Sequence, residues 1–510
     1  MLQIKNVSIT QRKDLRELVS ELSFCLNDGD KAAIIGEEGN GKSTLLKLIY
    51  NEKLIEEYAG YTGEIIRQGN VLGYLGQELS REEKETSVYE FLAGEPGFLE
   101  ADTKELAGMA KELGLPLSLL YSEQLMDTLS GGEKIKVQFV RILCKKPDVL
   151  LLDEPSNDMD IETLDWLEHW INRWPGPVLF ISHDETLLEH TANVIIHLEQ
   201  IRRKQKPRHA VVKTGYEEYS HRRAASLEKQ GQLARKERSE YRRQQEKFRR
   251  IEQRVHHEQE KVSRQNPHGA ALLKKKMKAV KSLEHRFERE AREMTEFPDA
   301  EEAILLRLGR CGNIPAGKTV LNMELPGLQA GNTVLAENLS LWIRGPEKVC
   351  IVGNNGAGKT TLLKEIVRAL SGREDICMAY MPQNYEEELP GEKTPVEFLC
   401  PMGDREERSR IQTFLGSLKF TYEEMGRPLR ELSGGQKAKV FLLKMSISGA
   451  GVWLLDEPTR NLSPLSGPII RKMLQSFPGT IISVSHDRKY MEEVCDTLYR
   501  LDGEGLHQIH

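Results

Sequence analysis

Lys31–Ser43 reads KAAIIGEEGNGKS, and this segment decides the fold of the chain. Residues 31–35 have the pattern of a buried strand, a glycine-rich loop follows, and Thr44–Ile49 continues as an apolar helical pattern. A glycine loop between a strand and a helix turns backbone N–H groups and a helix N-terminus towards bound phosphate. The segment therefore predicts a phosphate-binding loop in an α/β domain with a parallel sheet.

The same pattern occurs again at Lys348–Thr360, which reads KVCIVGNNGAGKT. In both copies the loop is followed by a Gln, a Leu-Ser-Gly-Gly motif, an Asp-Glu pair after an apolar run, and a His after the next apolar run. The back halves of the copies are offset by 303 residues, as from His183 to His486. A glycine loop alone is often an ordinary tight turn, but an ordered set of motifs that occurs twice predicts two tandem nucleotide-hydrolysing domains.

The glycine loops, their lysines and the two residues after each lysine are the candidate ATP-binding residues. The lysines would contact the β- and γ-phosphates, and the hydroxyl after each lysine would hold Mg²⁺. The candidates are Gly36, Gly39, Gly41, Lys42, Ser43 and Thr44 in the first copy, and Gly353, Gly356, Gly358, Lys359, Thr360 and Thr361 in the second.

The Asp-Glu pairs, the histidines and the glutamines are the candidates for chemistry. An Asp at the end of a strand can bind Mg²⁺, and the Glu after it can polarise the attacking water. We expect Mg²⁺ to be held by Ser43, Asp153, Thr360 and Asp456. We expect catalysis to involve Glu154, Glu457, His183, His486, Gln77 and Gln383.

Composition favours a folded cytoplasmic chain of several domains. Of its 510 residues, 39% are hydrophobic and 29% are charged, as in soluble globular proteins. We find no apolar stretch of membrane-spanning length, and Met1–Lys5 has the pattern of a strand and not of a signal peptide. The seven cysteines include no Cys-x-x-Cys pair, so the sequence suggests neither zinc nor an iron–sulfur cluster and fits reduced thiols.

A basic segment separates the two copies. Between residues 203 and 297 there are 27 Lys and Arg against 14 Asp and Glu, a net charge of +13, whereas the remainder carries −19. Residues 216–263 and 270–296 have helical composition, and Asn266–Gly269 is a turn signal. We therefore expect a helical hairpin over 203–300, between a first domain at 1–202 and a second at 301–510.

The hairpin has two interpretations. It can be a solvated charged coiled coil that only spaces the domains, or a surface for a polyanionic partner. The excess of positive charge favours the polyanionic partner. So does the run Lys274, Lys275, Lys276 and Lys278 beside the turn, where no opposite charge neutralises it.

Leu129–Gly132 and Leu432–Gly435 resemble the signature motif of the ATP-binding cassette (ABC) superfamily, and the Gln and His positions agree with that resemblance. The resemblance covers nearly the whole chain, and we call its two copies cassette 1 and cassette 2. In that superfamily two cassettes pair head to tail. The resemblance therefore implies that one nucleotide lies between Lys42 and Ser433, Gly434 and Gly435, and the other between Lys359 and Ser130, Gly131 and Gly132.

Two fused cassettes joined by a basic helical hairpin resemble the ABC-F class, which acts on ribosomes. In that class the hairpin enters the tRNA exit site and its tip approaches the peptidyl-transferase centre. Residues 456–463, which read DEPTRNLS, are similar to the antibiotic-resistance branch. Cassette 1 has Asp160 where cassette 2 has Ser463, so the two ATP sites are not expected to be equivalent. We find no clear aromatic residue upstream of either loop for adenine stacking, so base selectivity is expected to be loose.

The resemblance implies an ATPase that binds the bacterial-type ribosome, with rRNA and tRNA contacts through 203–300, and displaces antibiotics from the large subunit. It is expected to act as a monomer whose own cassettes pair. One alternative is a housekeeping ABC-F translation factor without drug protection. A second is the energy-coupling subunit of an exporter. A third is a DNA-remodelling cassette ATPase, which the lack of zinc-type cysteines and the expected lack of a coil in the 24 residues after His486 disfavour.

Overall fold

The computed structural model describes residues 1–157, 159–201, 206–261, 313–331, 333–401 and 403–509, with isolated positions at 278, 282, 286 and 289. The chain divides into two compact units. One contains Met1–Tyr219 and Glu301–His510, and therefore both cassettes, and the other is Ser220–Ala300.

Two sheets form the framework of cassette 1. Its strands are β1 (Leu2–Gln11), β2 (Glu17–Leu26), β3 (Lys31–Ile35), β4 (Ala59–Ile66), β5 (Leu72–Leu75), β6 (Val149–Asp153), β7 (Val178–Ile181), β8 (Val194–Ile201) and β9 (Lys206–Val212). The larger sheet has the order β5-β6-β7-β3-β8-β9, parallel except for β9. The smaller sheet is antiparallel, with the order β2-β1-β4.

Cassette 2 repeats the larger sheet. Its strands are β10 (Thr319–Ala330), β11 (Thr333–Arg344), β12 (Lys348–Val352), β13 (Met378–Met381), β14 (Val452–Asp456), β15 (Thr480–Val484), β16 (Thr497–Asp502) and β17 (Gly505–Ile509). The order is β13-β14-β15-β12-β16-β17, and again only the last strand is antiparallel. Strands β10 and β11 form a separate antiparallel pair.

Helices cover both faces of each large sheet. Those of cassette 1 are α1 (Lys42–Tyr50), α2 (Arg81–Glu85), α3 (Val88–Ala93), α4 (Pro96–Glu100), α5 (Thr103–Glu112), α6 (Gly131–Leu143), α7 (Ile161–Arg173) and α8 (Glu185–Thr191). After α9 (Tyr216–Lys261), those of cassette 2 are α10 (Lys359–Ser371), α11 (Pro395–Leu399), α12 (Arg405–Ser417), α13 (Tyr422–Gly426), α14 (Gly434–Ile447), α15 (Gly467–Gln475) and α16 (Arg488–Val494). Short 3₁₀ turns lie at Glu52–Leu54, Leu117–Tyr121, Met126–Thr128, Tyr385–Glu387 and Leu429–Glu431.

The central strands are apolar throughout because both faces of the sheet are buried. In β3, Ala33 and Ile35 join the core under α5 to α8, whereas Ala32 and Ile34 join the core under α1 and the antiparallel sheet. Cassette 2 has the same division between two cores. The predicted tandem α/β fold is confirmed, and the central strands lie where the apolar runs predicted them.

The segment between the cassettes contains a long helix. α9 runs from Tyr216 to Lys261, a length of about 70 Å at 1.5 Å per residue. This confirms the first helix of the expected hairpin, and positions 278, 282, 286 and 289 are helical as well. The expected turn and the run Lys274–Lys276 lie outside the described residues.

Cassette 1 continues beyond residue 202, where the sequence placed its boundary. β9 pairs with β8, and Tyr216 and Tyr219 contribute to the core. Strand β9 is basic and only half-buried at the edge of the sheet, so it lacks the continuous apolar run by which the central strands were found. In the part of the chain that is described, no helix is both long enough and apolar enough to cross a membrane.

Candidate functional site

The predicted motifs of cassette 1 meet at one edge of its sheet. The glycine loop follows β3, Asp153 ends β6, and His183 is the second residue after β7. β7 lies between β6 and β3, and all three strands are parallel. Their carboxyl ends therefore bring loop, carboxylates and imidazole together, as is usual for ligand sites in open α/β sheets. We call this group site 1 and its counterpart around Lys359 site 2.

The first glycine loop folds around its own lysine. Gly41 has a φ of 89°, which favours glycine, and α1 begins at the next residue. The buried Lys42 Nζ donates hydrogen bonds to the carbonyl oxygens of Gly36 at 2.9 Å and Glu37 at 3.3 Å. Burial lowers the pKa of Lys42. The ammonium lines a cavity of about 160 Å³, together with Ser43.

Ser43 and Asp153 form a pair suited to Mg²⁺. The Ser43 hydroxyl donates a hydrogen bond of 2.9 Å to Asp153 Oδ1, while the buried Oδ2 has no hydrogen-bond partner among the described residues. Burial raises the pKa of Asp153 to about 6. Among the described residues no group of three or more His, Cys, Asp or Glu could hold a metal alone. Hydroxyl and carboxylate oxygens suit Mg²⁺ that is also bound by substrate phosphates, so the residues fit this ion.

Glu154 is held by a network of hydrogen bonds. Its backbone φ of 51° is in the left-handed region, a strained conformation that is common at functional sites. The carboxylate lies 3.1 Å from His183 Nε2 and accepts hydrogen bonds from Gln77 at 3.2 Å and Asn157 at 2.7 Å. Burial alone would raise the pKa of Glu154, but His183 and Lys42 lower it to about 2. Asn157 was not predicted, because only its position in the loop after Asp-Glu could have indicated it.

Site 2 has the same backbone but weaker polar contacts. Glu457 also has a φ of 51°. Its carboxylate accepts a hydrogen bond of 3.4 Å from the His486 backbone and lies 3.8 Å from His486 Nε2. Gln383 is exposed and makes no hydrogen bond to Glu457. Within the described structure, the buried His486 Nδ1 also has no hydrogen-bond partner.

The electrostatics of site 2 differ accordingly. Burial, with repulsion from Asp456, raises the pKa of Glu457 to about 8. Burial and the charge of Lys359 lower the pKa of His486 to about 4. Burial raises the pKa of Asp456 to about 6, with the Thr360 side chain as an opposing influence. Lys359 resembles Lys42, since its Nζ bonds the carbonyls of Gly353 at 2.8 Å and Asn354 at 2.9 Å.

The signature motifs begin helices. Ser130 and Ser433 are the N-caps of α6 and α14, and each serine hydroxyl accepts a hydrogen bond of 3.3 Å from the backbone three residues later. The glycines after each serine therefore lie in the first helical turn with N–H groups at the end that attracts anions.

The signature of cassette 2 faces the glycine loop of cassette 1. The Glu38 carboxylate accepts hydrogen bonds from the backbone N–H of Gly435 at 2.7 Å and of Gly434 at 3.3 Å. Beside it, Glu37 pairs with Lys419 at 2.5 Å. Sequence reasoning missed both carboxylates, because they occupy variable positions of the glycine loop. The contacts place Gly434 and Gly435 opposite Lys42, in the head-to-tail arrangement that the resemblance implied.

The loops after the Asp-Glu pairs cross between the cassettes. His183 Nδ1 donates a hydrogen bond of 2.6 Å to the Leu462 carbonyl, and Asn461 lines the cavity of site 1. In the opposite direction, Asp160 lies close enough to Lys359 and His486 for their charges to interact. Asp160 also caps α7 by accepting a hydrogen bond of 2.9 Å from Thr163, which Ser463 does not do for α15.

Aliphatic side chains pack beside both glycine loops where the sequence offered no aromatic residue. Leu18 contacts the position of Gly41, and Leu328 and Leu335 contact that of Gly358. An aliphatic side chain offers a nucleobase apolar area but no stacking face.

The comparisons agree with this geometry. Residues 19–157 and 336–460 match the protein family described as "ABC transporter". The chain belongs to the ATP-binding cassette family. Its two glycine loops and both signatures thus lie in cassette domains that bind ATP.

Similar proteins include members of the ABC-F class. Ribosome protection protein VmlR of Bacillus subtilis is 28% identical, with 100% of this chain and 88% of that protein covered. ATP-binding cassette sub-family F member 3 of Homo sapiens is 27% identical, with coverage of 97% and 70%. The solved structure of RNase-L Inhibitor matches 98% of this chain and 89% of that chain with a TM-score of 0.58, at 18% identity, and shows the fold. The resemblance to ABC-F proteins is confirmed.

The different protonation of the two Glu side chains predicts different pH profiles. In the Glu154→Gln variant hydrolysis depends on Glu457, which holds a proton below its pKa of about 8 and becomes a base only above it. Its kcat/KM for ATP should therefore rise between about pH 7 and about pH 9, because kcat/KM reports ionisations of the free protein. In the Glu457→Gln variant hydrolysis depends on the already ionised Glu154, so kcat/KM should stay flat. Parallel profiles would contradict the assignment.

Proposed function

We propose that the chain is a cytoplasmic ATPase that binds the bacterial-type ribosome and displaces antibiotics from its large subunit. The observation that carries the ATPase is the grouping of Lys42, Asp153 and Glu154 at one sheet edge, opposite the signature of cassette 2. The domains proposed for these tasks are the two cassettes, of which the first includes β9, and an RNA-binding hairpin within 203–300.

The residues of site 1 suit hydrolysis of a phosphate anhydride. Lys42 and the N–H groups of the glycine loop would bind the β- and γ-phosphates, and Ser43 and Asp153 would hold Mg²⁺, which neutralises phosphate charge. Glu154 is ionised and anchored, so it can orient water and accept its proton. Gly434 and Gly435 would bind the γ-phosphate from the other side. Pairing of the cassettes around the nucleotide would therefore depend on ATP, and hydrolysis would allow them to separate.

Site 2 is proposed to work with the same roles at a lower rate near neutral pH. Lys359, Thr360 and Asp456 correspond to Lys42, Ser43 and Asp153. Glu457, however, is protonated at neutral pH, Gln383 is exposed, and the His486 ring nitrogen lies 3.8 Å from the Glu457 carboxylate. ATP would therefore persist longer in site 2, which would keep one side of the cassette pair closed while the other turns over.

The proposal of a ribosomal partner rests on charge, length and relatives. Residues 203–297 carry a net charge of +13, and α9 reaches about 70 Å. A long basic helix suits contacts with phosphate along structured RNA. VmlR, which matches this chain from end to end and is itself covered to 88%, is named a ribosome protection protein. Drug displacement is favoured by that name and by DEPTRNLS at 456–463, and a housekeeping role in translation is the other outcome of the tests.

The double variant Glu154→Gln, Glu457→Gln tests the catalytic roles. Loss of a positioned general base costs about 10²–10⁴-fold in rate, so hydrolysis should fall by that factor while ATP binding remains. The variant should then stay on ribosomes in the presence of ATP, measured by co-sedimentation and phosphate release. The exposed pair Glu100→Gln, Glu406→Gln is the matched control and should behave like the wild type. Hydrolysis at the wild-type rate in the double variant would contradict the roles.

Replacement of Lys274, Lys275, Lys276 and Lys278 by Gln tests the RNA-binding role of the hairpin. Ribosome affinity should fall, and the slope of log affinity against log salt should become shallower by about one unit for each phosphate that the protein no longer binds. The control changes four exposed lysines of cassette 1 in the same way: Lys13, Lys53, Lys104 and Lys111. ATP hydrolysis without ribosomes should not change in either variant. An unchanged salt slope in the hairpin variant would remove RNA binding by these lysines from the proposal.

Drug protection is tested by expression in a susceptible bacterium. The wild-type chain should raise the inhibitory concentration of at least one drug that binds the large subunit, and should restore translation in a drug-inhibited extract. A variant shortened between Ser263 and Leu272 should still bind ribosomes through its helices but should not protect. Ribosome binding and ATP hydrolysis without protection against any such drug would favour the housekeeping role.

A further inference from the structure

Two clusters of ion pairs join the cassettes away from the glycine loops. In the first, Arg471 of α15 forms a bidentate pair with Glu185 of α8, with N–O distances of 2.6 Å and 3.1 Å. Both side chains are buried, at 3% and 8% exposure. The same guanidinium bonds Glu493 of its own cassette through Nε at 2.7 Å. A buried bidentate pair of this kind fixes geometry more strictly than an exposed one.

The second cluster lies between α7 and α16. Arg488 pairs with the buried Glu168 and, at 2.8 Å, with Asp165. Glu168 also lies 2.8 Å from Nδ1 of His190, which belongs to its own cassette. Arg488 reaches Asp184 at 3.5 Å, so three carboxylates of cassette 1 surround one guanidinium of cassette 2.

The two clusters are equivalent under the internal repeat, with opposite charges. An offset of 303 residues converts Glu168 into Arg471, and Glu185 into Arg488. The same offset converts His190 into Glu493. The contact Glu185–Arg471 is thus the repeat-related counterpart of Arg488–Glu168. At both pairs of equivalent positions, cassette 1 has a Glu where cassette 2 has an Arg. We call Glu168, Glu185, Arg471 and Arg488 the charge seam.

This inversion distinguishes the two ways in which cassettes can pair. If two copies of cassette 1 paired in the same geometry, Glu168 of each would face Glu185 of the other. If two copies of cassette 2 paired, Arg471 would face Arg488. Like charges brought together in a buried interface oppose association, whereas the observed pairing places each seam charge against an opposite one.

We propose that the charge seam selects the partner of each cassette, so that cassette 1 pairs with cassette 2 and rejects a second copy of itself. The glycine loop and the Ser-Gly-Gly signature occur in both cassettes, so these shared motifs alone do not distinguish the two pairings. One neighbouring contact adds to the seam, and one pair of equivalent positions does not follow the inversion. Lys489 of cassette 2 pairs with Glu189 of cassette 1, while Asp184 and Asp487 are acidic in both cassettes and cap α8 and α16.

A need for such selection follows from how a tandem chain is made. Domains fold as units during synthesis, the N-terminal one first, so cassette 1 is folded before cassette 2 exists. Cassettes 1 of neighbouring nascent chains would then meet with complementary loops and signatures. Pairing between copies in this way would join chains, which is a common failure of repeat proteins. Like charges at the seam would keep cassette 1 unpaired until its own partner appears.

The test exchanges seam charges in the full chain. Arg471→Glu with Arg488→Glu makes both sides acidic, and Glu168→Arg with Glu185→Arg makes both sides basic. The quadruple variant restores opposite charges in reversed order. A matched control reverses an exposed pair within cassette 2, Glu365→Lys with Arg368→Glu. The measurements are ATP hydrolysis, thermal unfolding of the cassettes, and mass by light scattering with ATP.

Each double variant should lose hydrolysis by about 10²-fold or more, the size expected for leaving buried charges unpaired. The quadruple variant should recover most of it, and the control should match the wild type. An equimolar mixture of the acidic and basic variants should form a two-chain particle that neither forms alone. Thermal unfolding separates a defect in pairing from a defect in folding. The proposal is overturned if the double variants hydrolyse ATP normally, or if the quadruple variant is as impaired as they are.

A negative result for the charge seam would leave the proposed mechanism of hydrolysis unchanged, because the seam residues contact neither glycine loop. The proposed ATPase and ribosome roles are tested separately by the Gln and Lys variants described above. A wild-type chain that paired through cassette 1 with a second copy at micromolar concentration would also overturn the selection.

Discussion

The structure depends on a buried ammonium group at the start of the helix that follows the glycine loop in each cassette. Lys42 and Lys359 are removed from water, and each is held by two carbonyl oxygens of its own loop. Carbonyl oxygens satisfy the hydrogen-bond donors but do not balance the charge. The compensating charge comes from carboxylates on neighbouring strands of the same sheet. The strand order thus brings the lysine of the glycine loop and the Asp-Glu pair into one network of charges. A bound phosphate group would add the negative charge that the lysine can still accept.

The two copies of this arrangement are not balanced in the same way. At site 1 a charged Glu154 is bonded by an imidazole and two amides, so its negative charge is distributed over three partners. At site 2 burial and the neighbouring Asp456 keep the equivalent carboxyl neutral, and the long backbone contact from His486 does not offset them. The loops that follow the Asp-Glu pairs contribute to this difference. Asn157 of the first loop bonds Glu154, and Leu462 of the second loop accepts a hydrogen bond from His183. An internal repeat thus gives two sites of one ancestry and different resting charge.

The sequence predicted the elements far better than the contacts between them. Continuous apolar runs such as Val149–Leu152 can only be buried strands, and glycine loops between strand and helix have few alternatives. The edge strand β9 escaped because its basic residues carry no such pattern. Glu38 and the charge seam escaped for another reason. Their partners include residues hundreds of positions away, and periodicity within a segment says nothing about which distant segment faces it. The role of the inverted charges follows only from the contact between Glu185 and Arg471 in the folded chain.

Glu38 gives the closed arrangement at site 1 a particular meaning. Its carboxylate lies on the N–H groups that would bind a γ-phosphate, and Asn355 occupies the equivalent position in cassette 2. A side chain attached to the loop competes at a fixed local concentration, whereas the concentration of a free nucleotide varies with the state of the cell. Binding of ATP at this site would therefore replace one anion by another on these N–H groups. The fraction of site 1 that holds ATP would then depend on the cellular ATP concentration, and Glu38 would raise the concentration that is needed. Site 2 would lack this effect, because the equivalent Asn355 is uncharged.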